Sequence, residues 1–354
     1  MKLDAHRDGP VMEQVFRRFG WSPHQVEMVR GVLQVQTNGK VFALKKAVLP
    51  AKEMKKIQTV LHEITAKEYP HLLPFEKTVD GETGVETEVG YWMAQEWYGQ
   101  GAERGDEVPL ADLIRSLARF HRLTMPLAAG KKEDRRRLDQ SEVKRRRSFE
   151  KRLEEWASIA REREFPSPFD KAFETHLPYV QKALSFSLQG MEKYIQGERG
   201  EAPRYTWVHG RVHPRNLVVG EEGWRWIDWE HAGIDSPVRD VAGFLRRLIP
   251  MDGDEVTDPF ALLAEYEDEF PFNGKEKRLL SLYLTFPEQP LKLMEQYYAG
   301  NRQDEGTLVR RLEEEMDRLQ LFQDWVRKHW AKKPTKKAKR KELAGIRTAK
   351  PRSR

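Results

Sequence analysis

Apolar positions along this chain switch between two periods, and the switches mark out its elements. Val11, Val15, Phe16 and Phe19 recur at helical spacing and stop at Gly20, which predicts a helix over 11–19. The runs 29–36 and 41–48 read as strands joined by Thr37-Asn38-Gly39-Lys40. Asn-Gly is a strong hairpin signal, because both central residues of the tightest turns need positive φ. After Pro50, Met54, Ile57, Leu61 and Ile64 share one helical face. Strand-like runs return near 72–79 and 89–96, on either side of Asp80-Gly81-Glu82. Past Tyr98-Gly99 the helical period dominates: 110–121, the densely charged 131–164, then 171–195, 259–268, 275–284 and 306–330. A second hairpin, 217–220 with 224–227, interrupts that series. Asp240 stands just before the apolar run 241–245, where it is placed to cap a helix. Strands first and helices later make an α+β chain, with a small β-rich lobe over 1–97 and a larger helical lobe over 98–330.

Composition changes this picture at two points. No cysteine is present among 354 residues, which excludes disulfides, thiolate metal sites and thiol nucleophiles. No apolar run approaches the eighteen or so residues of a membrane span, and Met1-Lys2-Leu3-Asp4-Ala5-His6 begins no signal peptide. Synthesis in the cytoplasm is therefore expected. The net charge of +6 is unevenly spread: residues 331–354 hold eleven Lys or Arg against Glu342, and +6 less that +10 leaves −4 for the rest. A like-charged stretch so poor in apolar residues is expected to be a disordered tail, either solvated or docking anions. It lacks the interleaved aromatics of a single-strand binder, so a nucleic-acid arm is the weaker reading.

The chemistry concentrates in His209-Gly210-Arg211-Val212-His213-Pro214-Arg215-Asn216, followed twelve residues on by Asp228 in Ile227-Asp228-Trp229-Glu230. This resembles the catalytic loop of phosphotransferases of the aminoglycoside and choline kinase type, which reads His-Gly-Asp-x-x-x-x-Asn before an Ile-Asp-Trp or Ile-Asp-Phe. Such enzymes align the acceptor hydroxyl, hold metal ions and neutralise charge on the transferred group. The resemblance implies a bilobal protein-kinase-like fold, with ATP and Mg²⁺ as cofactors and Asn216 and Asp228 as metal ligands. Arg211 fills the slot of the proton-accepting Asp, and a guanidinium has no acceptor atom. His209 and His213 are the remaining candidates for acid–base work in the loop. In the small lobe, Phe42-Ala43-Leu44-Lys45 matches the position of the phosphate-gripping lysine, with Lys46 as the alternative should the register slip. Glu63 is the candidate carboxylate partner of Lys45, ahead of Glu53. The glycine-rich phosphate loop is thin, since only Gly31 lies between Val29 and Asn38.

Leu117-Ala118-Arg119-Phe120-His121 matches the Leu-Ala-x-Leu-His signature of the same superfamily, with His121 expected to be structural. Farther on, Tyr283-Leu284-Thr285-Phe286-Pro287 and Glu295-Gln296-Tyr297-Tyr298 are similar to the CotS family of kinase-like spore coat proteins, YsxE-type members in particular. That branch implies a place in the spore coat, made in the mother cell, with other coat proteins as partners. Two functions follow. One is a pseudokinase scaffold or assembly factor; the alternative is an active phosphotransferase on a small-molecule or protein hydroxyl.

Overall fold

A computed structural model describes residues 5–330 apart from 38, 68, 102–107, 132, 137, 139, 198–202, 250–257 and 301–303. The basic stretch 331–354 and Asn38 of the expected hairpin turn lie outside the described residues. The chain divides into two compact units, Met1–Leu138 with Glu198–Leu280, and Asp139–Gly197 with Ser281–Arg354.

The first unit opens with helix α1 (Ala5–Phe19) and strands β1 (Gln25–Val29), β2 (Val32–Thr37) and β3 (Lys40–Lys46). Helix α2 (Ala51–Thr65) precedes β4 (Val85–Thr87) and β5 (Gly90–Glu96), and the five strands form an antiparallel sheet in the order β1-β2-β3-β5-β4. Leu33, Val35, Leu44, Trp92 and Ala94 line one face and share a core with Val11, Val15 and Phe19 of α1. Side chains alternate across a strand, so Ala43 and Lys45 project from the other face.

Two of the predicted strands are corrected by the structure. Residues 29–36 are broken at Arg30-Gly31, where φ is +51° and +85°, and Val29 pairs with Val32 across them. Positive φ at both central residues of a two-residue loop is the signature of a type I′ turn, so the expected single strand is a tight hairpin. Residues 72–79 form no strand: only Leu72 and Phe75 make isolated pairings, with Trp226 and Gln95. Pro74 removes an amide donor from that stretch and Pro70 another just before it, which suits an irregular run rather than a ladder.

Beyond β6 (Gln100–Gly101) the first unit continues with α3 (Leu110–Ala128), β7 (Thr206–Val208), β8 (Leu217–Gly220), β9 (Gly223–Trp226) and β10 (Gly233–Asp235). β10 pairs with β7, and β6, β8 and β9 form a three-stranded sheet. At the expected crossover, Gly99 (φ +53°) lies so close to Val219 that a Cβ would come within 1.8 Å of its carbonyl oxygen. No other residue fits there. Helices α6 (Val238–Leu248) and α7 (Pro259–Glu267) complete the elements that matter to the site.

The second unit is helical. The helices α4 (Gln140–Arg161), α5 (Pro168–Gln196), α9 (Glu288–Tyr298) and α10 (Glu305–Trp330) enclose a core that runs from Phe149 and Trp156 to Leu312 and Leu319; α8 (Gly274–Leu284) spans the division between the units. Helix α9 was not legible as a helix because of Pro290. That proline falls in its first turn, where backbone N–H groups have no intrahelical partner to lose. The residues similar to the spore coat branch are packing residues here. Phe286 lies under the Arg146 guanidinium at 4.2 Å, Tyr297 stacks on Phe169 at 4.1 Å, and Tyr298 donates to Asp170 at 3.0 Å. Within the densely charged run, Arg145 and Arg147 are exposed, but Arg146 is fully buried and pairs with Glu142.

Candidate active site

Lys45 defines the centre of the site. Its ammonium contacts Asp228 Oδ1 at 2.6 Å and Glu230 Oε2 at 2.5 Å. Burial alone would pull the lysine pKa down, but these two carboxylates outweigh it and hold the group above its ordinary value. Burial likewise acts to raise Asp228, yet the hydrogen bond and charge of Lys45, together with the charge of Arg211, keep it below the usual carboxylate range. Asp228 adopts φ +64°, ψ +53°, a left-handed conformation that Asp tolerates better than most residues. The register places Lys45, not Lys46, toward these carboxylates, as the burial of Phe42 and Leu44 on the opposite face requires.

The expected partner Glu63 is not there. It stands exposed on α2, and the carboxylate that shares Lys45 with Asp228 is Glu230. Glu230 is buried and also accepts the Val48 N–H at 2.8 Å, so it ties the end of β3 to the turn after Asp228. Its only mark in the sequence is an acidic residue two positions after Asp228, in a stretch where glutamates are common.

The loop at 209–216 is held from below by Asp240. That carboxylate accepts His209 N–H at 2.6 Å, Gly210 N–H at 2.8 Å and the His121 ring at 3.2 Å. Burial works to raise its pKa, but the His121 bond and charge and the Gly210 N–H bring it below the usual carboxylate range. The expected helix cap alone is corrected: Asp240 lies in the first turn of α6, whose first residues receive no side-chain cap, and the backbone N–H groups it accepts are those of the loop. His121 is structural, as expected, with its other nitrogen on the Tyr266 hydroxyl at 2.8 Å. Gly210 (φ +79°) could carry no side chain, since a Cβ would lie 2.1 Å from the His231 carbonyl oxygen.

The two loop histidines are occupied. His209 is fully buried; Nε2 donates to the Ile227 carbonyl at 3.0 Å and Nδ1 receives the Arg211 N–H at 3.4 Å. Burial drives its pKa down, so the ring is a neutral brace between the two loops. His213 accepts the Arg215 N–H on Nδ1 at 3.0 Å, which leaves its single ring proton on Nε2. Burial and the charges of Arg247, Arg215 and Arg211 lower its pKa. Asn216 donates Nδ2–H to the Arg211 carbonyl at 2.8 Å, and its own carbonyl accepts Ile227 N–H at 3.0 Å. Asn216 and Asp228 thus belong to adjoining loops. Arg211 reaches across them: Nη1 lies 3.4 Å from Asp228 Oδ2 and 3.4 Å from His231 Nε2, with the side chain 56% exposed.

Residues 30–271, more than half of the chain, match the phosphotransferase enzyme family. The chain belongs to that family. Its fold is the kinase-like fold of the aminoglycoside phosphotransferases, α+β with a small antiparallel sheet. An aminoglycoside phosphotransferase from Alicyclobacillus acidocaldarius superposes with a TM-score of 0.73 at 17% identity, over 89% of this chain and 95% of that one. A spectinomycin phosphotransferase in complex with ADP and spectinomycin gives 0.61 at 16% identity, over 86% and 93%. The amicoumacin kinase hAmiN in complex with AMP-PNP, Ca²⁺ and Ami gives 0.58 at 14% identity, over 88% and 93%. No curated protein sequence matches the chain.

In this phosphotransferase-family chain the two residues expected from the resemblance to hold a cation, Asn216 and Asp228, are both engaged. Both oxygens of Asp228 face cations, Lys45 on one and Arg211 on the other. Among the described residues no group of three His, Cys, Asp or Glu could hold a metal ion. A Mg²⁺ on Asp228 Oδ2, about 2.1 Å away, would lie within about 5.5 Å of the Arg211 nitrogen. Even at the dielectric of water that repulsion is about 1.5 kcal/mol. The donor set does not fit a divalent cation while Arg211 stands where it does.

Proposed function

We propose that this chain is a phosphotransferase-fold protein that does not transfer phosphate and acts as a scaffold or assembly factor in a spore coat. The observation that carries the reading is Arg211, a cation paired to Asp228 in the slot where the family's pattern has the proton-accepting Asp. Neither loop histidine offers a substitute, since the free nitrogen of His213 carries the proton and His209 is enclosed. The two-residue β1–β2 turn supports the same reading, because it leaves no run of backbone N–H groups to enfold a phosphate. Nucleotide remains the ligand that the fold suits, bound rather than consumed. The placement in the coat, after synthesis in the mother cell and beside other coat proteins, rests on the similarity of residues 283–298 to the CotS family.

The test is turnover. Purified full-length protein with labelled ATP and Mg²⁺ is expected to give no transfer above background to sugars, amino alcohols or casein-like proteins. Robust transfer that Asp228→Ala abolishes would establish the alternative, an active phosphotransferase, and end the pseudokinase reading. For the coat role, a tagged chain is expected in the coat fraction of spores, and its exclusion from that fraction would refute it.

A further inference from the structure

We propose that Arg211 stands in for the divalent cation, so that the site binds a polyphosphate chain, on a nucleotide or free, without Mg²⁺. The inference rests on the non-transferring reading above and goes beyond it to the ionic requirement of the same site.

Three observations lead there. Lys45 and Arg211 approach opposite oxygens of the one Asp228 carboxylate, so two cations flank a single point. The charges of Lys45, Arg211, Asp228 and Glu230 cancel, whereas an Asp at 211 would leave two uncompensated negative charges for a metal ion to neutralise. Finally, the guanidinium is loosely held while its backbone is fixed. Both of its side-chain contacts are 3.4 Å, at the long end of hydrogen-bond range. The main chain of Arg211, by contrast, is held at its carbonyl by the Asn216 amide at 2.8 Å, beside a Gly210 clamped to Asp240. A planar fork with five donors, loosely paired and half exposed, is matched to paired phosphate oxygens. It can pivot from Asp228 to a phosphate with little rearrangement of the loop. Lys45 then takes the neighbouring oxygens, as its position on β3 allows.

Binding is measured on the full chain by calorimetry and thermal shift, with ATP and separately with inorganic tripolyphosphate, each in EDTA and in excess Mg²⁺. We expect binding in EDTA at least as tight as in Mg²⁺, because the metal neutralises the charge that the two cations recognise. Binding of either ligand supports the site, and the pair of arms tells whether the source is a nucleotide or a free polyphosphate. Arg211→Ala should weaken binding in EDTA by about tenfold or more, the scale of a lost charge-assisted hydrogen bond. Arg211→Asp should reverse the preference, so that Mg²⁺ becomes necessary. The side chain is exposed, and circular dichroism melts of both variants verify folding. Binding that needs Mg²⁺ in the natural protein, binding in EDTA that ignores Arg211→Ala, or no binding of either ligand would each overturn the inference. None of these touches the non-transferring reading, which falls only to turnover.

Discussion

At the scale of single residues, Asp240 anchors the loop at 209–210 in place of the capping role its position suggested. It satisfies two backbone N–H groups of the loop and a buried histidine from a fully enclosed position. Asp240→Ala would strand those donors, and a loss of roughly 2–4 kcal/mol in urea unfolding is expected, above the ~1 kcal/mol of a lost cap. The carboxyl is depressed in the folded state, so it binds a proton more readily when unfolded. Its stabilising effect is full above the unfolded pKa of about 4 and disappears as pH falls through the lower folded value. Acid unfolding of the natural protein and Asp240→Asn should therefore differ most above pH 4 and converge below it. Lys45 and Asp228 were legible because motif spacing and strand alternation both point at them. Glu230 was not, since what brings it into the candidate site is contact with Lys45 and Val48, more than 180 residues away. Arg146 was hidden similarly: nothing in Lys144-Arg145-Arg146-Arg147 says which arginine turns inward.

At the scale of elements, turn chemistry decides more than hydrophobic pattern. The Arg30-Gly31 turn keeps a non-glycine residue at φ +51°, where Asn is the favoured occupant of the first position of a type I′ turn. Arg30→Asn is expected to raise stability by about 0.5–1 kcal/mol, read as a higher melting temperature; a lower one would show that the arginine side chain outweighs its backbone strain. In α5, Ser167 and Asp170 form a reciprocal capping box, with Ser167 N–H on Asp170 and Asp170 N–H on Ser167. Ser167→Ala should cost about 1 kcal/mol. Its hydroxyl also meets the Tyr297 hydroxyl at 2.8 Å, so Tyr297→Phe should recover part of that cost in a double-mutant cycle. Helix periods of this chain were readable because amphipathic stripes are long. The strand at 72–79 was misread because apolar residues alone do not reveal which amides find a ladder partner.

At the scale of the whole molecule, the +6 of the chain conceals a change of sign. Removing residues 331–354 leaves −4, so the truncated protein should pass from cation-exchange to anion-exchange resin near pH 7. The salt needed to release the full chain from an anionic surface should fall sharply with that truncation. Retention unchanged by truncation would mean that the folded part carries its own basic face.

On the non-transferring reading proposed above, and because β1 and β2 are joined by only two residues, gaining transfer would take more than one genetic event. A point change at 211 would supply a proton acceptor, and an insertion between 29 and 32 would supply a loop to enclose the phosphates. Either change alone gives selection little to favour, and the first would also remove the Arg211–Asp228 contact. On that reading, the absence of transfer behaves as a ratchet.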